Sequence, residues 1–385
     1  SMRALKLVPN SIVLVTLVIG CGSSEGTDDT VQFDSVVSFG DSLSDVGTYE
    51  VGTIAELDGG QFTVNGAAPR VWTEFLSDAL NTPAQCAART GMLPNDGTTG
   101  APVTDFPECD NYAQGSARVT FSGTGPNGVG LQELGLINLG FLADSLRNQI
   151  DRHLLKIGGT YSGRELITVN AGANDLFVQL QAIVLAGAGG VDALGAALVA
   201  GWSQEVIVIV SAGGEAATAA ATEAAIAAMG QAGSELVGYI ETSMINKGAR
   251  YVLVRNLPNL NVTPFGRSFD EATQGLVTAL SDAYNAALAD VDGVLLFNDY
   301  AESTAIAEDP AAFGYSNVTT PSCGNNAFGN PPDSPAGPSI VCNATNLIDE
   351  DTSQFAFADD VHPTPYAHQK TAESVLELMA SVGWQ

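Results

Sequence analysis

Ser35-Val36-Val37-Ser38-Phe39-Gly40-Asp41-Ser42-Leu43-Ser44-Asp45 is the stretch that decides how the rest of the chain is read. Its first five residues read as a short buried strand, and the strand runs straight into Gly40-Asp41-Ser42. A serine hydroxyl is thereby left at a strand's carboxyl end. Apolar runs of the kind found in central parallel strands recur at 165–169, 251–254 and 294–297. Helix-like segments lie between them. In 70–80, Val71, Trp72, Phe75, Leu76 and Leu80 fall roughly one turn apart, and 142–157 shows similar spacing. A further helix is expected over 271–291, and a last one follows Pro365 and ends near Gly383. Strands alternating with helices imply an α/β fold, a mainly parallel sheet with helices on both faces. Ligands in such sheets bind at the carboxyl ends of strands, near a switch in strand order. Ser42 therefore falls where chemistry is expected.

Two stretches interrupt this alternation. Residues 83–110 are rich in Pro, Gly and Cys and read as an insertion loop. Residues 185–238 are rich in Ala and Gly, and the Gly-Gly pairs at 189–190 and 213–214 are expected to divide them into helices. Packed helices are the expected form, with a mobile lid over a pocket as the alternative. Within this stretch, 206–210 fits a strand and a buried helical turn equally well.

The chain has 385 residues, 45% hydrophobic and 15% charged, enough to bury a sizeable core. No linker divides it, so one domain with long insertions is expected over 34–385. Ahead of it, Met2-Arg3 and Lys6 precede an apolar run from Ile12 to Ile19, followed by Gly20-Cys21. This is the pattern of an export signal over 1–20, too short for a comfortable membrane span. Val18-Ile19-Gly20-Cys21 resembles a bacterial lipobox, which implies lipidation at Cys21 and a tether over 21–33. Ser1, ahead of Met2, is left out of this reading. The expected location is the cell envelope, as an outer-membrane or surface lipoprotein, or the secreted fraction.

The formal charge is −29, and loss of Arg3 and Lys6 with the signal would leave 12 cations against 43 carboxylates, or −31. So acidic a surface repels nucleic acid and anionic headgroups. Besides Cys21, four cysteines remain, an even number for an oxidising compartment. Local pairing, Cys86 with Cys109 and Cys323 with Cys342, is the simplest arrangement. Each bridge would close a loop for ~3 kcal/mol in chain-entropy terms. No C-x-x-C spacing points to zinc, and no metal or organic cofactor is expected.

Three short segments carry chemistry. They are the one around Ser42, Asn170-Ala171-Gly172-Ala173-Asn174-Asp175, and Asp359-Asp360-Val361-His362-Pro363-Thr364. A serine hydroxyl needs a base within hydrogen-bond reach. An imidazole suits that work, and a carboxylate must hold its tautomer. Asp359 and His362 lie three residues apart and can supply both, and the chain has only three histidines.

These segments resemble the GDSL family of lipases and esterases, also called SGNH hydrolases. The blocks occur in family order from about Val36 to the C-terminus: Gly40-Asp41-Ser42-Leu43-Ser44-Asp45, Asn111-Tyr112-Ala113-Gln114-Gly115-Ser116-Ala117, Gly172-Ala173-Asn174-Asp175, and the Asp359–His362 segment. Residues 248–251 through 256–258 also resemble a family strand and turn. The resemblance implies a three-layer α/β/α, flavodoxin-like fold with long loop insertions. It implies Ser42 as nucleophile, His362 as general base and Asp359 as its orienter. It implies an oxyanion hole made of the backbone N–H groups of Ser42 and Gly115 and the side-chain amide of Asn174. Ser116 stands where the family has another small residue. With Ser44 in place of the last glycine of G-x-S-x-G, an α/β-hydrolase elbow is disfavoured.

Other polar residues are expected to play structural parts. Asp41 and Asp175 are read as local hydrogen-bonding residues, Asp45 as a helix-start charge, and Asp360 as the weaker competitor to Asp359. His153 is expected to be solvated and His368 structural. Gly123-Thr124-Gly125-Pro126-Asn127-Gly128 matches a dinucleotide fingerprint on paper, but Pro126 argues against it. The expected activity is carboxylic-ester hydrolysis through an acyl-enzyme, on a substrate that includes lipid among its classes. A phospholipase or lipid acyltransferase using the same residues is the enzymatic alternative. A catalytically silent, envelope-anchored binding lipoprotein is the alternative of another class. Oligomeric state is not written in the sequence.

Overall fold

A computed structural model describes residues 31–91, 102–121, 143–289, 291–331 and 334–385. The expected signal, Cys21 and the Gly123–Gly128 motif lie outside the described residues. In chain order the elements begin with β1 (Val36–Gly40), α1 (Gly52–Glu56) and α2 (Trp72–Ala79). The antiparallel pair β2 (Arg89–Thr90) and β3 (Thr104–Asp105) and then α3 (Leu146–Lys156) follow. After β4 (Leu166–Asn170) come α4 (Ala173–Ala188), α5 (Gly190–Val199), α6 (Gln204–Ser211) and α7 (Glu215–Ser243). The chain continues through β5 (Tyr251–Arg255), α8 (Pro264–Arg267), α9 (Glu271–Leu288), β6 (Leu295–Phe297), α10 (Asp299–Glu308) and α11 (Pro365–Ser381).

The main sheet is parallel, in the order β1-β4-β5-β6. Period-two alternation sorts its side chains onto two faces. Val36, Leu166 and Leu253 meet Trp72, Leu76, Val375 and Met379 of α2 and α11. Val37, Phe39, Ile167, Val169, Val252 and Val254 meet the helices of the other layer, among them α3, α4, α7 and α9. Three layers result, and packing on both faces explains why the strands read as largely apolar runs.

Beyond β1 runs an extended segment that the sequence pattern does not mark as a strand. Ser38 donates to Asp110 O at 3.0 Å, and Tyr112 and Gln114 donate to Ser38 O and Gly40 O at 2.8 and 3.1 Å. This is a parallel ladder, so β1 has neighbours on both sides. The chain leaves β1 for residues 110–114 on one side and returns on the other as β4. That reversal is a switch point, and it opens a crevice at the carboxyl end of β1.

The Ala- and Gly-rich stretch folds as packed helices, with breaks at both Gly-Gly pairs. The ambiguous residues 206–210 are helical, inside α6. Small side chains allow close approach: a Cβ on Gly233 of α7 would lie 2.7 Å from Tyr284 O of α9. Both expected disulfides are present, Cys86–Cys109 and Cys323–Cys342. No helix among the described residues is long and apolar enough to cross a membrane.

Candidate active site

The turn after β1 is built around Asp41. Its Oδ1 accepts the Leu43 N–H at 3.1 Å and the Asn170 side-chain amide at 2.9 Å, and its carbonyl accepts the Ser44 N–H at 3.1 Å. Gly40 is needed for this approach, because a Cβ there would lie 2.7 Å from Asn170 Oδ1. Ser44 Oγ donates to Asn170 Oδ1 and accepts the Trp72 indole N–H at 2.9 Å. Burial pushes the Asp41 carboxyl up to about 6, against the pull of the Leu43 N–H, His362 and Asn170. Ser42 rides on this network and is 8% exposed.

The loop before α11 delivers the imidazole. His362 Nε2 lies 3.0 Å from Ser42 Oγ, and Nδ1 lies 2.9 and 2.8 Å from the two carboxylate oxygens of Asp359. Asp359 Oδ1 also accepts the N–H groups of Val361 and His362 at 3.0 and 2.8 Å, while Oδ2 accepts that of Ser339 at 3.0 Å. The loop ends where α11 begins: Thr364 Oγ1 accepts the Ala367 N–H at 3.1 Å, and Pro365 takes the first helical position. Phe62 covers the imidazole with ring centroids 5.2 Å apart. Burial opposes both charges, but their mutual attraction prevails. His362 is raised above the ordinary imidazole value, and Asp359 is held well below the usual carboxylate range. Asp360 makes no hydrogen bond to His362 among the described residues. Its carbonyl accepts the Phe265 N–H at 2.9 Å, and burial pushes its carboxyl up.

On the other side of Ser42 lie hydrogen-bond donors. Asn174 sits in the first turn of α4, where one amide N–H is donated to Ala117 O at 2.9 Å. An amide carries two such hydrogens, so one remains. Ser116 lines the same cleft at φ +68°, and its N–H, like that of Ser42, has no partner among the described residues. The cleft has a volume of about 220 Å³, and its walls are mostly apolar, with Phe177, Leu260, Val262, Phe265, Ile306 and Phe357 among them.

Comparison with known families finds one model over residues 36–375, GDSL-like Lipase/Acylhydrolase. The chain belongs to this GDSL-like lipase/acylhydrolase family. It is therefore a hydrolase of the esterase and lipase type. A search of the curated proteins returned no match.

Within this GDSL-like hydrolase, three expectations need correction. Gly115 does not offer its N–H to the cleft, because that group donates to Asp45 Oδ2 at 2.8 Å. Gly115 is a glycine for another reason: a Cβ would lie 2.1 Å from a ring carbon of Phe62. Asp45 starts no helix. Its buried carboxylate gathers the N–H groups of Gly47, Thr48 and Gly115 at 2.9, 2.8 and 2.8 Å, tying the first family block to the second. His153 is not solvated but 2% exposed, boxed by Phe39, Tyr112 and Tyr161. Burial first of all lowers its pKa to about 4, so it stays neutral.

The remaining expectations fall as follows. Ser42, His362 and Asp359 lie in one hydrogen-bonded line. Asp175 is paired with Arg118 at 2.8 Å, in a bridge that also receives the Val119 N–H at 3.0 Å. His368 is buried in α11, in keeping with a structural part. Ser116 and Ser339 escaped the sequence reading altogether as site residues.

Proposed function

We propose that this GDSL-like hydrolase cleaves carboxylic esters through an acyl-enzyme, with Ser42 as nucleophile, His362 as general base and Asp359 as its orienter. The hydrogen-bonded line from Ser42 Oγ through both imidazole nitrogens to Asp359 carries this reading. Ser42 Oγ attacks the acyl carbon while its proton passes to His362 Nε2. The tetrahedral intermediate expels the alcohol, which takes that proton as it leaves. Water, activated by the same nitrogen, then attacks the acyl-enzyme and releases the acid.

The carbonyl oxygen gains negative charge in both halves of the reaction. The N–H groups of Ser42 and Ser116, unpartnered among the described residues, and the second amide hydrogen of Asn174 stabilise it in this scheme. One such donor is worth ~100- to 1000-fold in rate. Apolar walls favour an uncharged acyl group, lipid acyl chains included. Export through residues 1–20 and lipidation at Cys21 belong to the same proposal and would put the enzyme at the cell envelope. Mass spectrometry of the membrane fraction tests that part, with an acylated Cys21 as the expected N-terminal residue.

Ser42→Ala tests the function. Hydrolysis of p-nitrophenyl esters should fall by more than ~1000-fold while circular dichroism stays unchanged. Full residual hydrolysis would remove the proposal. A wild-type protein that hydrolyses no ester and whose Ser42 takes no fluorophosphonate label would favour the silent binding protein instead.

A further inference from the structure

Among the described residues between 314 and 364 there is little regular secondary structure, yet this region must hold Asp359 and His362 in register with Ser42. A displacement of 1 Å can lower a rate by about 100-fold. Something other than a helix or sheet has to supply the precision. Pro338-Ser339-Ile340-Val341-Cys342 supplies part of it. Ser339 is buried and donates its N–H to Asp359 Oδ2 at 3.0 Å, while its Oγ lies 3.3 Å from His362 Nδ1. In the tautomer that accepts from Ser42, Nδ1 carries the proton. Ser339 Oγ is then a second acceptor beside the carboxylate.

Ser339 is itself held from two sides. The Asn65 amide donates to the carbonyls of Ser339 and Cys342, each at 3.1 Å, and the Asn65 N–H donates to Cys342 O at 2.7 Å. Cys342 is bonded to Cys323. On the far side of that bridge, the Cys323 N–H donates to Ala358 O at 2.8 Å, and the Ala358 N–H donates to His362 O at 2.7 Å. The disulfide therefore joins the two segments that flank Asp359: the one that grips its carboxylate and the one paired with the residue before it.

We infer that Ser339 is a positioning residue for the His362–Asp359 pair, and that the Cys323–Cys342 bridge clamps it there. This rests on the catalytic reading of Ser42. Ser339 lines the cleft, but its hydrogen bonds go to the imidazole and the carboxylate rather than to Ser42, and it acts through them.

Ser339→Ala removes the Oγ acceptor and leaves the backbone N–H. Turnover of a p-nitrophenyl ester should fall about fivefold at unchanged KM, the worth of one ordinary hydrogen bond. Losing an acceptor at Nδ1 also makes the imidazolium less favourable, so the acid limb of the kcat–pH profile should move to lower pH. A purely structural role would not move that limb. The double variant C323A/C342A, assayed where circular dichroism shows it folded, should lose more than roughly tenfold in kcat. The control C86A/C109A should keep its kcat. If the first pair does not fold, reduction of the native enzyme by a phosphine under folded conditions reads the same loss. Wild-type kcat and an unmoved limb in Ser339→Ala overturn the positioning role. Wild-type kcat in folded C323A/C342A, or after reduction, overturns the clamp. An inactive Ser42→Ala beside a silent Ser339→Ala sinks this inference alone, whereas an active Ser42→Ala sinks the catalytic reading with it.

Discussion

Gly115 gives its backbone N–H to the carboxylate of Asp45, at 2.8 Å. That bond turns the peptide of Gly115 away from the cleft and leaves the next one along, that of Ser116, with its N–H unpartnered among the described residues. The turn this requires puts Ser116 at φ +68°, a region that favours glycine.

Ser116→Gly should therefore keep its ester turnover, since the donor is the backbone, and gain about 1 kcal/mol in stability. The melting temperature should rise by about 2 °C. Gly115→Ala should do the opposite, because the added carbon enters the Phe62 ring. Thermal melts and kcat on the two variants check both. A Ser116→Gly variant that melts lower would contradict the strained turn.

The pH dependence follows from His362. Burial alone would lower its pKa, but Asp359 raises it above the ordinary 6.5. Only the neutral imidazole accepts the serine proton, so kcat/KM should rise with pH and reach half its plateau above 6.5. Without the carboxylate, burial dominates. Asp359→Ala should show a much lower plateau with its limb moved to lower pH. A limb that stays in place would mean that Asp359 does not act on His362.

In the proposed reaction, the cleft sets the size of the acyl group. A cavity of ~150 Å³ holds benzene, so 220 Å³ suits a chain of about eight carbons. Across p-nitrophenyl esters of increasing length, kcat/KM should peak near octanoate. A peak at acetate would contradict an apolar acyl site of this volume.

Much of this was legible in the sequence, and the reasons are physical. Strands packed on both faces are largely apolar, so β1, β4, β5 and β6 announced themselves. Ser42, Asn174, Asp359 and His362 stood out because their chemistry constrains residue type in short local patterns. What escaped depends on partners distant in the chain. The extended segment 110–114 lacks β-branched residues and is a neighbour of β1 only through backbone bonds to Ser38 and Gly40. His153 shares α3 with Arg147, Asp151 and Lys156, so its helix looks polar. The aromatic box around it comes from Phe39, Tyr112 and Tyr161. Which of two adjacent N–H groups faces the cleft hangs on Asp45, 70 residues upstream of Gly115. Ser339 carries no local signature beyond a cysteine three residues further on.

The most direct measurement is the mass of the folded enzyme after reaction with a fluorophosphonate, followed by peptide mapping. A single adduct per chain is expected on Ser42, absent from Ser42→Ala and formed far more slowly in His362→Ala. A folded enzyme that takes up no label, or takes it up at another residue while Ser42 stays free, would contradict the account.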